Sequence, residues 1–439
     1  MATQITPVMI LHVELLTKIF DHVLTDDTPQ CQPYQWKVLL DLTSVCSLWR
    51  EICLGEPLLW TRIGPGLKNY NMIELFLMRS QTCLLTIHYC QEPRNENIRN
   101  ISLLLYHSWR WLDVTLEMPS SSQSLLSSLK GPFPQLETLN WICDIDGNPH
   151  DVLRFSGFEI APRLRRSCIS LPFLKEIVTL PWSQLTHFSC QYVHSSSLHS
   201  TLPLMSNLSL LNVRNPIRSM TNIDIPQTVA YPPLSSLEVE NCDFETLHSL
   251  LRVFPNVRDL TILVVEGAYS YDLNESIHLR NLSSIDFEIH QPLPFLSSAF
   301  QIYAPNLSEI RFASEVKGMS VLSQRIVGND TLDFLTNLVS NACCTLTTLT
   351  LSLDVDFDCH ELARLLSLLP EMEYFEIFAT HGMDCIPWRS MTPLTQTLPK
   401  LKTFPVHIPC TIVDPITIDA FIAFVRSNPL LEIPFYAMD

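Results

Sequence analysis

Positive charge is scarce in this chain. Its 439 residues hold 28 Lys and Arg against 45 Asp and Glu, a formal net charge of −17, and no run of basic residues relieves it. A grip on nucleic acid needs clustered Lys and Arg to neutralise phosphates, and an anionic membrane surface attracts the same clusters, so neither partner is expected. Glycine is scarcer still, at 10 residues. No Gly-rich phosphate loop or dinucleotide turn can be found, and G-x-S-x-G and H-E-x-x-H are absent as well. The chain therefore reads as non-catalytic and without a cofactor. Long apolar runs are missing, so nothing reaches the length of a membrane span. The N-terminal stretch MATQITPVMILHVELL has no basic region, and Glu14 interrupts its apolar run, which argues against a signal peptide.

Paired cysteines are also lacking. None of the 14 forms a C-x-x-C motif. Without a secretion signal they read as reduced thiols of a cytoplasmic or nuclear protein. Cys343-Cys344 with Cys359 and His360 does not have zinc-site spacing. Asp354, Asp356 and Asp358 alternate but lack the loop glycine of a calcium site.

What is present is apolar: hydrophobic residues make up 46% and charged residues 17%, which excludes disorder as a description of the whole chain. The apolar residues follow a pattern, L-x-x-L-x-[IVLF], often with Pro shortly ahead. It is seen in FPQLETLNW (133–141), PPLSSLEV (232–239), FPNVRDLTI (254–262), RNLSSIDF (280–287), APNLSEIRF (304–312), TLTTLTL (345–351), PEMEYFEI (370–377) and PKLKTFPV (399–406). Weaker copies begin near Leu185 and Leu208, and Leu164 competes with Leu174-x-x-Ile177 for one more. From Leu136 to Leu401 the copies recur about every 26 residues.

Each copy alternates with period 2, so it predicts a short strand with one buried face. Between copies the period changes to that of a helix. Leu247, Leu250, Leu251 and Phe254 follow an Asp243 cap; Leu362, Leu365, Leu366 and Leu369 follow Asp358 and Glu361; Ile418, Phe421, Ile422 and Val425 make a third case. The fold class is thus α/β, a solenoid of strand-and-helix units stacked on a parallel sheet. Leu307 to Leu346 is an interval of about 39 residues, which predicts an inserted loop before a helix around Leu332–Val339. Three of the six N-x-S/T triplets, at Asn207, Asn281 and Asn306, lie inside the pattern and read as its by-products. The pattern resembles irregular leucine-rich repeats, although only Leu234–Cys242 reaches that family's Cys/Asn position.

The first sixty residues differ. Val13, Leu16, Ile19, Phe20 and Val23 form a helical stripe; Trp36–Leu42 and Thr43–Leu54 predict two more helices, the last stopped by Gly55 in a left-handed conformation and by Pro57. Cys46, Trp49 and Cys53 share a face and read as packing residues. Leu11-His12-Val13-Glu14-Leu15-Leu16-Thr17-Lys18-Ile19-Phe20, then Val45-Cys46-Ser47-Leu48-Trp49-Arg50, then Pro57-Leu58-Leu59-Trp60, is similar to the F-box motif over residues 7–62. His12 stands where that family has proline, so a helix starting near Pro7 is expected instead.

The resemblance implies a substrate-recognition subunit of a Skp–cullin–F-box ubiquitin ligase. Its N-terminal helices would dock on a Skp-type adaptor through Leu11, Glu14, Leu15, Leu16, Ile19, Phe20, Val45, Cys46, Trp49, Leu59 and Trp60, some of which must be core. The repeats would hold an unidentified protein target. The alternative is a protein-binding scaffold with a degenerate F-box. The expected domains are 1–62, F-box-like; 63–132, a connector with the first solenoid strands, in Leu75–Tyr89 and Trp109–Leu116; and 133–439, the repeat solenoid.

Overall fold

The computed structural model describes residues 11–25, 35–91, 98–119, 131–144, 155–217, 231–266, 276–289, 301–314, 321–353, 359–379, 397–409 and 415–438. The chain divides into two compact units, residues 1–208 and 209–439.

The first unit opens with three helices, α1 (Val13–Thr25), α2 (Gln35–Val45) and α3 (Ser47–Gly55), closed by a 3₁₀ turn, Pro57–Trp60. Then come β1 (Arg62–Ile63), α4 (Tyr70–Arg79), β2 (Leu85–Cys90), α5 (Ile98–Tyr106), β3 (Trp111–Pro119), β4 (Thr138–Asp144), β5 (Arg166–Ser170) and β6 (His187–Gln191). These six strands lie side by side in chain order, every neighbouring pair parallel. Alternation decides which side is buried: Leu85, Ile87 and Tyr89 turn inward from β2, and Leu139, Trp141 and Cys143 from β4.

The second unit repeats the scheme. Its strands are β7 (Leu210–Arg214), β8 (Ser236–Asp243), β9 (Asp259–Glu266), β10 (Ile277–His278), β11 (Ser284–Ile289), β12 (Ile302–Tyr303), β13 (Glu309–Ser314), β14 (Thr348–Leu353), β15 (Tyr374–Ala379), β16 (Val406–Pro409) and β17 (Phe435–Met438). Strands β10 and β12 pair with each other; the other nine form a parallel sheet in chain order. Helices 244–253, 321–342, 359–367 and 415–427 cross between strands. Both units are therefore α/β, each a leucine-rich-repeat-like stack of strands preceded, in the first unit, by the helical bundle.

The L-x-x-L pattern has a second layer of meaning in the hydrogen bonds. The residue after the first leucine sits where the strand begins, and its carbonyl takes several donors from the next turn. Arg258 O accepts from Ser283 N at 2.8 Å, Ser284 N at 3.1 Å and Ser283 Oγ at 3.1 Å. Ser283 O accepts from Ser308 N at 3.0 Å, Glu309 N at 3.1 Å and Ser308 Oγ at 3.1 Å, and Ser308 O from Thr347 Oγ1 at 3.1 Å. The residue before the leucine also reaches back: Asn306 Nδ2 donates to Arg280 O at 2.7 Å and Asn281 Nδ2 to Asn256 Oδ1 at 3.2 Å. Asn-Leu-Ser is thus a structural unit of the turn, the Leu in the core and both polar neighbours tied to the previous repeat.

Several local expectations need correction. The helix break lies at Cys46, not at Leu42, because the Cys46 sulfur accepts from Trp49 N at 3.5 Å and caps α3. Gly55 is the last helical residue rather than a left-handed cap; Glu56, the residue before proline, turns extended at φ −102° and ends the helix. Helix α1 begins at Val13, with the His12 carbonyl accepting from Leu15 N and Leu16 N, so Leu11 and His12 lie outside it. Residues 7–10 lie outside the described residues. The stretch from Leu75 is helix as far as Arg79, since Asn69 caps α4 and Ile73, Phe76 and Leu77 bury one helical face. Leu164 is the copy that leads into a strand, while Leu174–Ile177 is one short helix turn. The long interval carries a 22-residue helix, Val321–Ala342. In helix 415–427 Phe424 is buried, whereas Ile422 and Val425 are exposed. The Asp243 cap stands, accepting from Thr246 N at 2.8 Å. Asp354, Asp356 and Asp358 lie outside the described residues.

Candidate functional site

Helix α1 carries two apolar stripes, each at i, i+4, i+8. Leu16, Phe20 and Leu24 are buried, at 1%, 1% and 4% exposure. One residue earlier, Leu15, Ile19 and Val23 stand 48%, 46% and 46% exposed. The inner stripe closes the bundle: the Phe20 ring meets the Trp49 indole at 4.9 Å. Behind it Trp60 Nε1 donates to Cys53 O at 2.7 Å, and the Trp60 ring packs edge-on to Phe76 of α4 at 4.9 Å. Arg62 Nη1 donates to Leu24 O and Arg79 Nη1 to Leu54 O, so the bundle is tied to the first strand and to α4.

The structure divides the eleven residues that the F-box resemblance singles out. Leu16, Phe20, Leu59 and Trp60 are core, and burial withdraws them from direct contact with a partner. Cys46 caps α3, and Trp49 is half-buried against Phe20. Leu11, Glu14, Leu15, Ile19 and Val45 are exposed. Four further exposed apolar residues of the same bundle, Val13, Val23, Leu54 and Leu58, were not among the eleven. Cys53 is fully buried, and burial pushes its thiol up to about 11, so it remains protonated and unreactive at neutral pH.

A second surface is the outward face of the sheet in the second unit. Register places Asn212, Glu238, Thr261, Asp286, Arg311, Thr350 and Glu376 in one row across β7 to β15. The next outward row runs Arg214, Glu240, Leu263, Glu288, Ala313, Ser352, Phe378, His407 and Tyr436. Arg214 reaches Glu238 at 3.7 Å and Glu240 at 3.2 Å, and Arg311 pairs with Glu309 at 2.8 Å. At the far end Phe378, His407 and Tyr436 stack face to face, with centroids 4.0 and 4.6 Å apart and planes within 9° and 12°. His407 Nε2 lies 2.8 Å from Glu376 Oε1, both largely covered. Arg258 is exposed but stands at the start of β9 rather than on this face.

In the first unit, a small half-open pocket between the β1–α4 connection and β2 is lined by Ile63, Leu67, Lys68, His88, Cys90 and Asn100. Beside it His88 Nε2 lies 2.8 Å from Glu117 Oε1, and this hydrogen bond holds the Glu117 carboxyl below its usual range. Among the described residues no three His, Cys, Asp or Glu side chains gather as a metal site would need, and no helix is long and apolar enough to cross a membrane.

No family model and no curated protein matches the chain. Among solved structures, the crystal structure of a TLR13–ssRNA13 complex aligns over 77% of this chain and 44% of its own, at 12% identity and a TM-score of 0.31. This chain thus spans under half the length of that one. The repeat architecture is established by the parallel ladders of the two units themselves.

Proposed function

We propose that this protein is a non-catalytic substrate receptor of a Skp–cullin–F-box type ubiquitin ligase, whose N-terminal bundle docks on a Skp-type adaptor and whose repeats hold a protein target. The observation that carries the reading is the doubled stripe of α1. A helix needs one apolar face to build its bundle, and Leu16, Phe20 and Leu24 already supply it. Leu15, Ile19 and Val23 form a second, half-exposed face, and Leu11 and Val45 of the same N-terminal region are exposed as well. Fully burying a Leu, Ile or Val side chain stabilises by about 1.5–3 kcal/mol, so covering three half-exposed ones gives about 3 kcal/mol. The order of the motif segments, with Trp49 on Phe20 and Trp60 behind them, adds the resemblance to the F-box. The chain's contribution would be proximity: a tethered target meets the ubiquitin-loaded enzyme at high effective concentration.

The test is co-purification of the full chain with a Skp-type adaptor, followed by titration. Leu15→Asp with Ile19→Asp should abolish association while the variant still unfolds cooperatively at the parent's temperature. No association of the parent chain at micromolar concentrations would put the scaffold reading, to which His12 in the proline position points, in its place.

A further inference from the structure

We propose that the outward sheet face of the second unit is a docking surface for a lysine- and arginine-rich segment of a protein target; this names the chemistry of the partner that the receptor reading assigns to the repeats. Three features of the face converge on that occupant.

The first is charge. Glu238, Glu240, Asp259, Asp286, Glu288 and Glu309 face outward across β8 to β13, against Arg214 and Arg311. On these rows acidic side chains outnumber basic ones, six to two. Glu238 and Glu240 on β8 stand two strands from Asp286 and Glu288 on β11, with Thr261 and Leu263 between them. Strand spacing and rise put these four carboxylates in a rectangle of about 10 by 7 Å, comparable with the screening length of about 8 Å at physiological salt. Arg214 already offsets part of the charge of Glu238 and Glu240, and a cationic partner offsets more of the repulsion across the rectangle. Burial holds the Asp286 carboxyl above its usual range; Arg311 acts against this, and Glu288 and Glu309 add to it more weakly.

The second is the floor. Between Glu288 and Phe378 the outward row has Ala313 and Ser352, two small side chains that leave the backbone approachable. The third is the stack at the end. His407 is sandwiched between Phe378 and Tyr436, and Tyr436, half-exposed at 50%, is the ring the stack offers to a partner, with Glu376 against His407. An aromatic group beside a carboxylate suits a guanidinium or ammonium. From Glu288 to Phe378 is three strand spacings, about 14 Å, or about four residues of an extended chain. A segment with basic residues about four apart can therefore engage both ends at once. The same charge excludes a phosphate-bearing ligand.

The probe is a fluorescein-labelled dodecapeptide with four Arg in a Gly-Ser background, compared with its Glu counterpart, by fluorescence anisotropy on the full chain. The Arg peptide should bind and the Glu peptide should not, and affinity should fall at least tenfold between 50 and 200 mM NaCl. Glu240→Gln, Asp286→Asn and Glu288→Gln together should weaken binding at least tenfold. Asp21→Asn, Asp41→Asn and Glu51→Gln remove as much charge from the helical bundle and should change it less than twofold. Tyr436→Ala should weaken it at least threefold. Equal weakening by the two triple variants, or no binding at 50 mM NaCl, overturns the proposal; an unchanged Tyr436→Ala removes its aromatic half. Adaptor association of the sheet-face triple variant, measured in parallel, should match the parent. A chain that binds the Arg peptide but never the adaptor would defeat the ligase reading alone.

Discussion

The Phe20 ring lies on the Trp49 indole with centroids 4.9 Å apart and planes at 60°, joining the first and third helices of the N-terminal bundle. Phe20 is 1% exposed and its chain neighbour Ile19 is 46% exposed, so one helical step separates core from surface. Removing the ring by Phe20→Ala should cost about 3–5 kcal/mol, because it loses both burial and a packed aromatic pair. Ile19→Ala should change stability by less than about 0.5 kcal/mol. Urea unfolding followed by tryptophan fluorescence reads both. Similar losses for the two would mean that the outer stripe is covered in the free protein.

Arg110 is fully buried and is spent on one helix end. Its Nη2 donates to Leu77 O at 2.9 Å, and its Nη1 to Gln81 O at 2.6 Å, Ser80 Oγ at 2.9 Å and Cys83 O at 3.3 Å. These groups lie in and just beyond the last turn of α4, where carbonyls lack helical partners and the dipole favours a cation. Arg110→Ala leaves several of them buried without donors, at about 1–3 kcal/mol each, so a total near 3 kcal/mol or more is expected. Arg110→Lys should recover only part, since a single ammonium cannot span the fork. Equal melting temperatures for the Lys variant and the parent would contradict this.

Much of the stack was legible from Leu spacing, because L-x-x-L-x-[IVLF] sets buried positions at the strand start and then at period 2. Leu237 and Val239, Leu260 and Ile262, and Phe375 and Ile377 all fall on the buried face as read. Failures came where two signals shared a residue. Cys46 looked like a helical packing residue because it is seven from Cys53, yet its sulfur caps a helix that sequence spacing made continuous. Gly55 beside Glu56-Pro57 offered two ways to end a helix, and the steric demand of proline prevailed. In the docking set, Leu15 and Leu16 are chemically identical, so only the bundle's geometry separates the exposed one from the buried one.

The Asn-Leu-Ser turns make a quantitative expectation. Ser308 Oγ donates to Ser283 O and Asn306 Nδ2 to Arg280 O, both across one repeat. Ser308→Ala and Asn306→Ala should each cost about 0.5–1.5 kcal/mol, the net worth of one hydrogen bond. Neither residue fills the core, so packing adds little. Chemical denaturation of each single variant is the measurement, and a neutral Ser308→Ala would mean that the two backbone donors to Ser283 O suffice.

Burial drives the last expectation, a pH dependence. His199 lies in helix 195–201 at 7% exposure, and desolvation pushes its pKa from 6.5 down to about 4. The folded protein therefore holds the imidazole neutral where the unfolded chain would protonate it. Between pH 6.5 and about 4 the unfolded state binds more protons, so stability is fully present above 6.5 and declines as pH falls through that window. The whole decline attributable to His199 is about 3 kcal/mol. Burial, with Arg110 adding to it, also lowers the pKa of His107, and the lowered Glu117 carboxyl weakens the fold further below its ordinary range, so the total slope is shared. His199→Gln isolates one part: the difference in unfolding free energy between parent and variant should narrow by about 3 kcal/mol from pH 7 to pH 4. A difference constant across that range would show that His199 is protonated or solvated in the folded state.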